Sequence, residues 1–224
     1  MTPAQRATFG AGANSLIAGD HFTLRTGALN FDASTGPASL SLGKGANLNG
    51  GDILMSAGGI ANTLTIGDES RIATILMNGG GAKAAQTLTL GDKVVSDAGI
   101  SIAGSGTAAD RTEVPVTIGD GVTVNGAIRL LGINTTTLVK IGDGLTLKGA
   151  FVGAWSGAEM VEIGRDWQID GTLNLGAGND TLRIGTTSRD GAGLITGGAG
   201  TDTLEIALDP QQPAAFAAAA KATG

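Results

Sequence analysis

The chain has 224 residues with a formal net charge of −6; 39 residues are glycine and only 3% are aromatic. The acidic balance excludes the positive surface that nucleic acid and anionic membranes require, and no apolar stretch approaches the roughly 20 residues that span a bilayer. Because the chain has no cysteine and a single histidine, His21, we expect neither disulfides nor a histidine-based metal site or catalytic triad.

The N-terminal stretch MTPAQRATFGAG, at 1–12, contains no apolar segment of the kind that marks a secretory signal peptide. Thr2 is suited to the N-cap of a helix and Pro3 to its first turn, so this stretch predicts a small capping helix. We therefore assign residues 1–20 to an N-terminal cap.

A short apolar-alternating motif that ends in glycine recurs along most of the chain. It reads LTIGD at 64–68, LTLGD at 88–92 and VTIGDG at 116–121, and it continues to LEIA at 204–207. The glycines that end the motif are 21 to 28 residues apart: Gly43, Gly67, Gly91, Gly119, Gly142, Gly164 and Gly185. Such a period is typical of a solenoid, in which each repeat buries its apolar face against its neighbours.

Within a repeat, the alternation has the period of β-strands, and glycine or asparagine marks the corners. Residues 116–132 contain three such strands, separated at 119–121 and at 125–126. The sequence therefore predicts an all-β fold, a parallel β-helix over residues 21–208 with about eight rungs of about 22–24 residues. The usual handedness of parallel crossover connections favours a right-handed coil.

This register makes a prediction about the outward-facing residues of the first strand of each rung. Stacked in order, they are Ser41, Thr65, Thr89, Thr117, Lys140, Glu162, Arg183 and Glu205. The last four alternate in sign, as neighbouring strands require if their charges are to attract rather than repel. Lys148 and Asp170, at equivalent positions on the second strand, also have opposite signs.

An acidic column follows the glycines that end the motif. It consists of Asp68, Asp92, Asp120 and Asp143, with Lys44 and Arg165 at its two ends. Aspartate often accepts a hydrogen bond from the backbone of its own turn, in an Asx-turn, so we interpret this column as structural.

Two glycine-rich segments near the C-terminus have a different pattern. Residues 197–205 read GGAGTDTLE and fit the calcium nonapeptide G-G-x-G-x-D-x-U-x, while residues 175–183 read LGAGNDTLR and depart from it only at Leu175. Residues 175–205 thus resemble the RTX family, the secreted hemolysin-type calcium-binding repeat proteins. The two copies lie 22 residues apart here rather than nine, so they occupy successive rungs.

The resemblance implies that Ca²⁺ binds between the two glycine turns. It implicates Asp180 and Asp202 together with the carbonyl groups around Gly176, Gly178, Gly198 and Gly200. Alignment of the preceding rung adds Glu159 to this acidic column, because Gly157 then lies over Gly178. The alternative is that glycine and aspartate only form tight turns there.

Other features point less directly to chemistry. Trp155 and Trp167 are candidates for stacking on a sugar ring, and the alternative is that they fill the core. The column Thr65, Thr89 and Thr117 is too short to favour an ice-binding face. The insertion GSGTAADRTEVP at 104–115 is interpreted as a surface loop, and no cluster of carboxylates suggests catalysis.

Together these features favour a structural or adhesive protein over an enzyme. We expect a segment of a secreted or surface-displayed bacterial fibre, adhesin or surface-layer protein, stabilised by Ca²⁺ and similar in architecture to autotransporter passenger domains. Expected partners are copies of itself, end to end, or a polysaccharide or cell-surface ligand. The alternative is a carbohydrate-active β-helix enzyme or its calcium-dependent polysaccharide-binding module. Residues 209–224 are assigned to a C-terminal cap or linker.

Overall fold

A computed structural model describes residues 5–24, 27–32, 34–48, 50–55, 61–79, 83–185 and 193–207. These residues form β-strands and no helix. In chain order the strands are β1 Gln5–Thr8, β2 Asn14–Ala18, β3 Gly27–Asn30, β4 Ala38–Leu42, β5 Asp52–Met55, β6 Asn62–Ile66, β7 Arg71–Asn78, β8 Gln86–Leu90, β9 Val95–Ala103, β10 Thr112–Ile118, β11 Thr123–Val124, β12 Ala127–Leu130, β13 Ile133–Ile141, β14 Thr146–Leu147, β15 Phe151–Ile163, β16 Gln168–Ile169, β17 Leu173–Gly178, β18 Thr181–Gly185, β19 Ile195–Thr196 and β20 Thr203–Ala207.

The strands stack as the coils of a parallel β-solenoid of about eight rungs, which confirms the predicted fold class. Every pairing between these strands is parallel and links a strand to its equivalent one rung away. The first face contains β2, β4, β6, β8, β10, β13, the end of β15, β18 and β20. The second face is short, and the third runs from β1 to β19. The hand of the coil stays a prediction.

The core is a set of apolar columns that run along the axis of the coil. On the first face, the inward position is occupied in successive rungs by Leu40, Leu64, Leu88, Val116, Val139, Val161 and Leu182, each at most 1% exposed. Their outward neighbours pair in the predicted order, from Ser41 beside Thr65 to Arg183 beside Glu205. The alternation of the sequence therefore sets the register of the whole face.

The N-terminal region departs from the predicted cap. β1 pairs with β3 and β2 pairs with β4, so the solenoid already includes residues before position 20. The reason is that residues 14–20 repeat the motif of later rungs, with an alternating strand followed by Gly19 and Asp20. Phe9 then stacks on buried Phe31, with ring centroids 4.1 Å apart. Thr2 and Pro3, and the predicted C-terminal cap at 209–224, lie outside the described residues.

From β2 to β15, the corner after the first strand of each rung has a left-handed residue two positions after the corner glycine. Glycine fills it in some rungs, as at Gly121 with φ of 65°, but Glu69 and Lys93 adopt 57° and 56°. Since this conformation costs a non-glycine residue roughly 1–2 kcal/mol, the contacts between rungs must outweigh the penalty.

Candidate functional site

A column of polar side chains lies inside the coil, where the third face turns into the first. It occupies the inward position two residues before the apolar column, and we call it the inner polar column: Asn62, Gln86, Thr137, Glu159 and Asp180, with Val114 between Gln86 and Thr137. All these side chains are at most 2% exposed. Burial of polar groups is costly unless they are hydrogen-bonded, so each member needs a partner.

At the N-terminal end of this column, amide side chains supply that partner. Asn62 Nδ2 donates to Gln86 Oε1 at 3.1 Å and to the Met55 carbonyl at 3.1 Å. Asn62 Oδ1 accepts from the Ala38 N–H. Because an amide carries both donors and an acceptor, Asn and Gln can stack and still be satisfied.

At the C-terminal end, two carboxyl groups take the place of the amides. The Glu159 N–H donates to Asp180 Oδ1 at 2.8 Å, which fixes the Asp180 carboxylate inside the coil. Glu159 Oε1 and Oε2, Asp180 Oδ2 and Thr135 Oγ1 have no hydrogen-bond partner. Among the described residues, these are the buried side-chain polar atoms without one.

The environment raises the pKa of both carboxyl groups. Burial, followed by the influence of Asp180, raises the pKa of Glu159 to about 9. Burial also raises the pKa of Asp180, and the charge of Asp202 adds to this effect. Without a cation, Glu159 is therefore protonated at neutral pH and has a proton to share with its neighbour.

The structure brings together only part of the metal site that the RTX resemblance implies. Gly157 pairs with Gly178, as the alignment predicts, and Glu159 lies next to Asp180. Asp202 instead accepts the Asp180 N–H through Oδ1 at 3.1 Å. No group of three or more His, Cys, Asp or Glu side chains is placed to share a metal ion in the described part of the chain.

The glycines of the two motif copies allow close stacking of the corners. Gly176, Gly178, Gly198 and Gly200 all have positive φ. A Cβ at Gly200 would collide with the Gly178 carbonyl oxygen, and one at Gly198 would collide with that of Gly176. The Gly176 carbonyl accepts from the Ala199 N–H at 3.0 Å, so it already has a partner within the coil. The structure thus gives these glycines a role in packing, and their predicted role in Ca²⁺ binding stays a prediction.

The second acidic column forms a ladder along the outside of the coil, which we call the aspartate ladder: Asp20, Asp68, Asp92, Asp120 and Asp143. Each Oδ1 accepts the backbone N–H at the equivalent position one rung later, as Asp92 does from Asp120 at 2.9 Å. The residue after the aspartate also forms a hydrogen bond between rungs. After Asp120, for example, the Gly121 N–H donates to the Asp143 carbonyl at 2.7 Å. The column is structural, as interpreted, but its bonds join rungs instead of closing Asx-turns.

The corner glycines make room for this ladder. A Cβ at Gly119 would lie 2.5 Å from Asp92 Oδ1, which crosses beneath it to reach the Asp120 N–H. The same collision with the carboxylate of the preceding rung recurs at Gly43, Gly91, Gly142 and Gly164. Backbone atoms of the preceding rung also lie within 3.0 Å of these positions, as they do at Gly67, where that rung has Lys44 in place of aspartate. The stacked backbone and the carboxylate therefore both favour glycine at this position.

The two tryptophans have different environments. Trp167 is 6% exposed and its Nε1 donates to the Gly185 carbonyl at 3.2 Å, so it fills the core. Trp155 is 73% exposed, and the next residue along the chain pairs with Ile133, which is 52% exposed. Of the two candidates for stacking on a sugar, only Trp155 presents its ring to solvent.

Several features of the inner polar column are not predicted by the sequence motifs. Asn62, Gln86 and Thr137 belong to none of them, although each lies two residues before a core position of the repeat. A column of polar residues at an inward position is the signal that could have found them. Asp20, the first member of the aspartate ladder, also escapes the sequence prediction, because it falls within the stretch assigned to the cap.

In comparisons with known proteins, no family model, no curated protein and no solved structure matches the chain. The RTX resemblance therefore stays a hypothesis. The described residues also include no helix with the length and apolar character needed to cross a membrane.

Proposed function

We propose that the chain is a structural or adhesive segment of a secreted or surface-displayed bacterial protein. The observation that carries the proposal is the continuous stack of parallel strands, which forms a rod with a continuous core. Solenoids of this kind act through their extended surface and their ends.

The last described rung supports end-to-end assembly of such rods. β20 pairs with β18 on one side, and among the described strands none pairs with its other side. Leu204 is 37% exposed, although its equivalents in the preceding rungs are at most 1% exposed. Among the described strands the other edge of β20 is unpaired, and an unpaired strand edge is a template for another strand. The partner that fits it is the first rung of a second copy.

Negative-stain microscopy and sedimentation over a range of protein concentrations test this assembly. We expect filaments, or oligomers whose size rises with concentration, and we expect Leu204→Lys to abolish them. Thr63→Lys, on the exposed outer surface of an inner rung, is the matched control and should assemble normally. A wild-type rod that stays monomeric at all concentrations would contradict end-to-end assembly.

We also propose that Ca²⁺ stabilises the coil, as the RTX resemblance implies. The support is the pair of buried carboxyl groups, because three of their four oxygens accept no backbone or amide N–H. A melt monitored by circular dichroism, first in EDTA and then with Ca²⁺ restored, tests this part of the proposal separately from assembly.

A polysaccharide-binding role is the second candidate, and the exposure of Trp155 is the observation that favours it. Aromatic rings exposed in this way can stack on the apolar face of a sugar ring. We expect Trp155→Ala to abolish retention on immobilised acidic and neutral polysaccharides, while Met160→Ala, at another exposed apolar residue, should not. Turnover of a uronan in the same screen would favour the carbohydrate-active enzyme.

A further inference from the structure

We infer that one Ca²⁺ binds inside the coil between Glu159 and Asp180, and not one rung later, between the two motif copies. This inference rests on the calcium part of the proposed function and names the site. Its first support is the contrast within the inner polar column. Asn62 and Gln86 satisfy each other, whereas three buried oxygens of Glu159 and Asp180 accept no backbone or amide N–H and are left with the proton that the two carboxyl groups share.

The second support is the set of backbone oxygens beside the two carboxyl groups. Gly157 and Gly178 pair across adjacent rungs, and their lack of a side chain lets the rungs approach closely. A Cβ at Gly157 would lie 2.4 Å from the Thr135 carbonyl oxygen and 3.1 Å from Glu159 Oε1, and one at Gly178 would lie 2.1 Å from the Gly157 carbonyl oxygen and 3.0 Å from Asp180 Oδ1. The glycines thus bring carbonyl oxygens close to the carboxylates, and carbonyl groups are ligands that Ca²⁺ accepts.

The third support is the chemistry of the available ligands. Ca²⁺ takes 6–8 oxygen ligands from carboxylates, carbonyls and water, and its flexible geometry tolerates an irregular set. Two carboxylates balance its charge, and the unpartnered hydroxyl of Thr135 lies one rung away, at the position that pairs with Gly157. Mg²⁺ requires a nearly ideal octahedron and retains its water, so this interior favours the larger ion.

Asp202 is outside this site. Its Oδ1 accepts the Asp180 N–H. Its side chain is half-buried, and the residues on either side of it, Thr201 and Thr203, are exposed. This placement separates the inferred site from the one that the motif implies, because the motif requires Asp202 as a ligand and the interior site does not.

The test compares wild type, Glu159→Gln and Asp202→Asn, each unfolded in urea and refolded in EDTA, CaCl₂ or MgCl₂. Refolding in each buffer is needed because a buried ion enters as the coil forms. The Gln amide can donate to Asp180 as Asn62 donates to Gln86, so this variant should fold. Asp202→Asn keeps an oxygen that can accept the Asp180 N–H.

We expect Ca²⁺ to raise the melting temperature of wild type and Asp202→Asn, more than Mg²⁺ does, and to leave Glu159→Gln unchanged. Calorimetric titration of the refolded proteins after chelator removal should give one Ca²⁺ per chain for the first two and none for the third. A Ca²⁺ response that Glu159→Gln keeps and Asp202→Asn loses would place the ion at the motif and overturn this inference, while the calcium part of the proposed function would stand. No response in wild type would overturn both, and the assembly of rods would remain a separate question.

Discussion

The buried carboxyl group of Glu159 contributes to the way in which the stability of the coil depends on pH. Glu159 has an ordinary pKa of 4.5 and a pKa of about 9 in the folded chain. Between these values the folded state binds a proton that the unfolded state does not, so the free energy of unfolding falls as pH rises. The charge of Asp180 opposes the ionisation of Glu159, whereas the charge of Arg111 favours it. The charge of Asp202 opposes the ionisation of Asp180.

We therefore predict that, in EDTA, the unfolding free energy decreases from about pH 5 to pH 9. The slope for one proton is at most about 1.4 kcal/mol per pH unit. Glu159→Gln cannot ionise, so this component of the slope should disappear, and urea titrations of both proteins at several pH values measure it. Equal pH profiles for wild type and variant would show that Glu159 ionises normally.

The aspartate ladder gives a second prediction at the scale of residues. Gly119→Ala forces a Cβ against Asp92 Oδ1, so we expect a loss of about 1–3 kcal/mol from overpacking. Asp92→Ala removes the carboxylate part of the obstruction, together with the bond to the Asp120 N–H, and should cost about 1 kcal/mol.

The double variant distinguishes this explanation from a general intolerance of the corner. If the carboxylate is the obstruction, the two losses in unfolding free energy will be less than additive. Strict additivity in urea titrations would mean that the backbone of the preceding rung, and not the aspartate, requires glycine at this position.

At the scale of strands, the outward charges of the first face act as a ladder that selects the register. Arg183 contacts Glu162 and Glu205 on the two neighbouring strands, each at 2.7 Å. Salt bridges at an exposed surface contribute little individually, but a shift of one strand by one residue would bring different side chains opposite each other.

Arg183→Glu would place three acidic side chains in adjacent rungs, so we predict a lower melting temperature. The loss should shrink when NaCl is raised from low ionic strength to about 1 M, because the Debye length then falls to about 3 Å. Arg183→Gln is the matched control, which removes attraction without adding repulsion and should lose less. A loss of the same size at both salt concentrations would attribute the effect to packing.

The sequence predicts the strands far better than it predicts the interior chemistry. Period-2 alternation and the glycine after each first strand determine which residues face inward, so the sequence alone places Lys140, Glu162 and Arg183 in one outward stack, and the pairing of their strands confirms it. The bonds of the aspartate ladder do not follow from the sequence, because an aspartate can bond its own turn or the next rung. Only the stacked backbone decides between them.

The same limit applies to Glu159. The repeat places it over Asp180, but the alignment does not show whether a side chain at a corner points into the coil or away from it. The alignment also does not show whether hydrogen-bond donors lie near the Glu159 carboxyl group. The N-terminal rung escapes prediction for a simpler reason, since Leu16 and Gly19 fit the motif but Ile17, at the outward position, is apolar and 80% exposed.

At the scale of the whole molecule, each rung is stabilised chiefly by its two neighbours, so position along the rod should determine the effect of a core substitution. Leu88 is 1% exposed and packs in the middle of the apolar column, whereas Leu204 is 37% exposed in the last described rung. Leu88→Ala should cost about 2–5 kcal/mol through lost burial and a cavity. Leu204→Ala should cost clearly less, because its side chain contacts a rung on one side and is already partly in water.

Urea unfolding measures the two losses, and native-state hydrogen exchange shows where they act. In a one-dimensional array the middle substitution weakens both adjacent interfaces, so protection should fall on both sides of β8, while the terminal substitution should affect β18 and β20 alone. If both substitutions lowered protection evenly along the rod, the solenoid would unfold as one cooperative unit. Stacking between neighbouring rungs alone would then be insufficient to describe its stability.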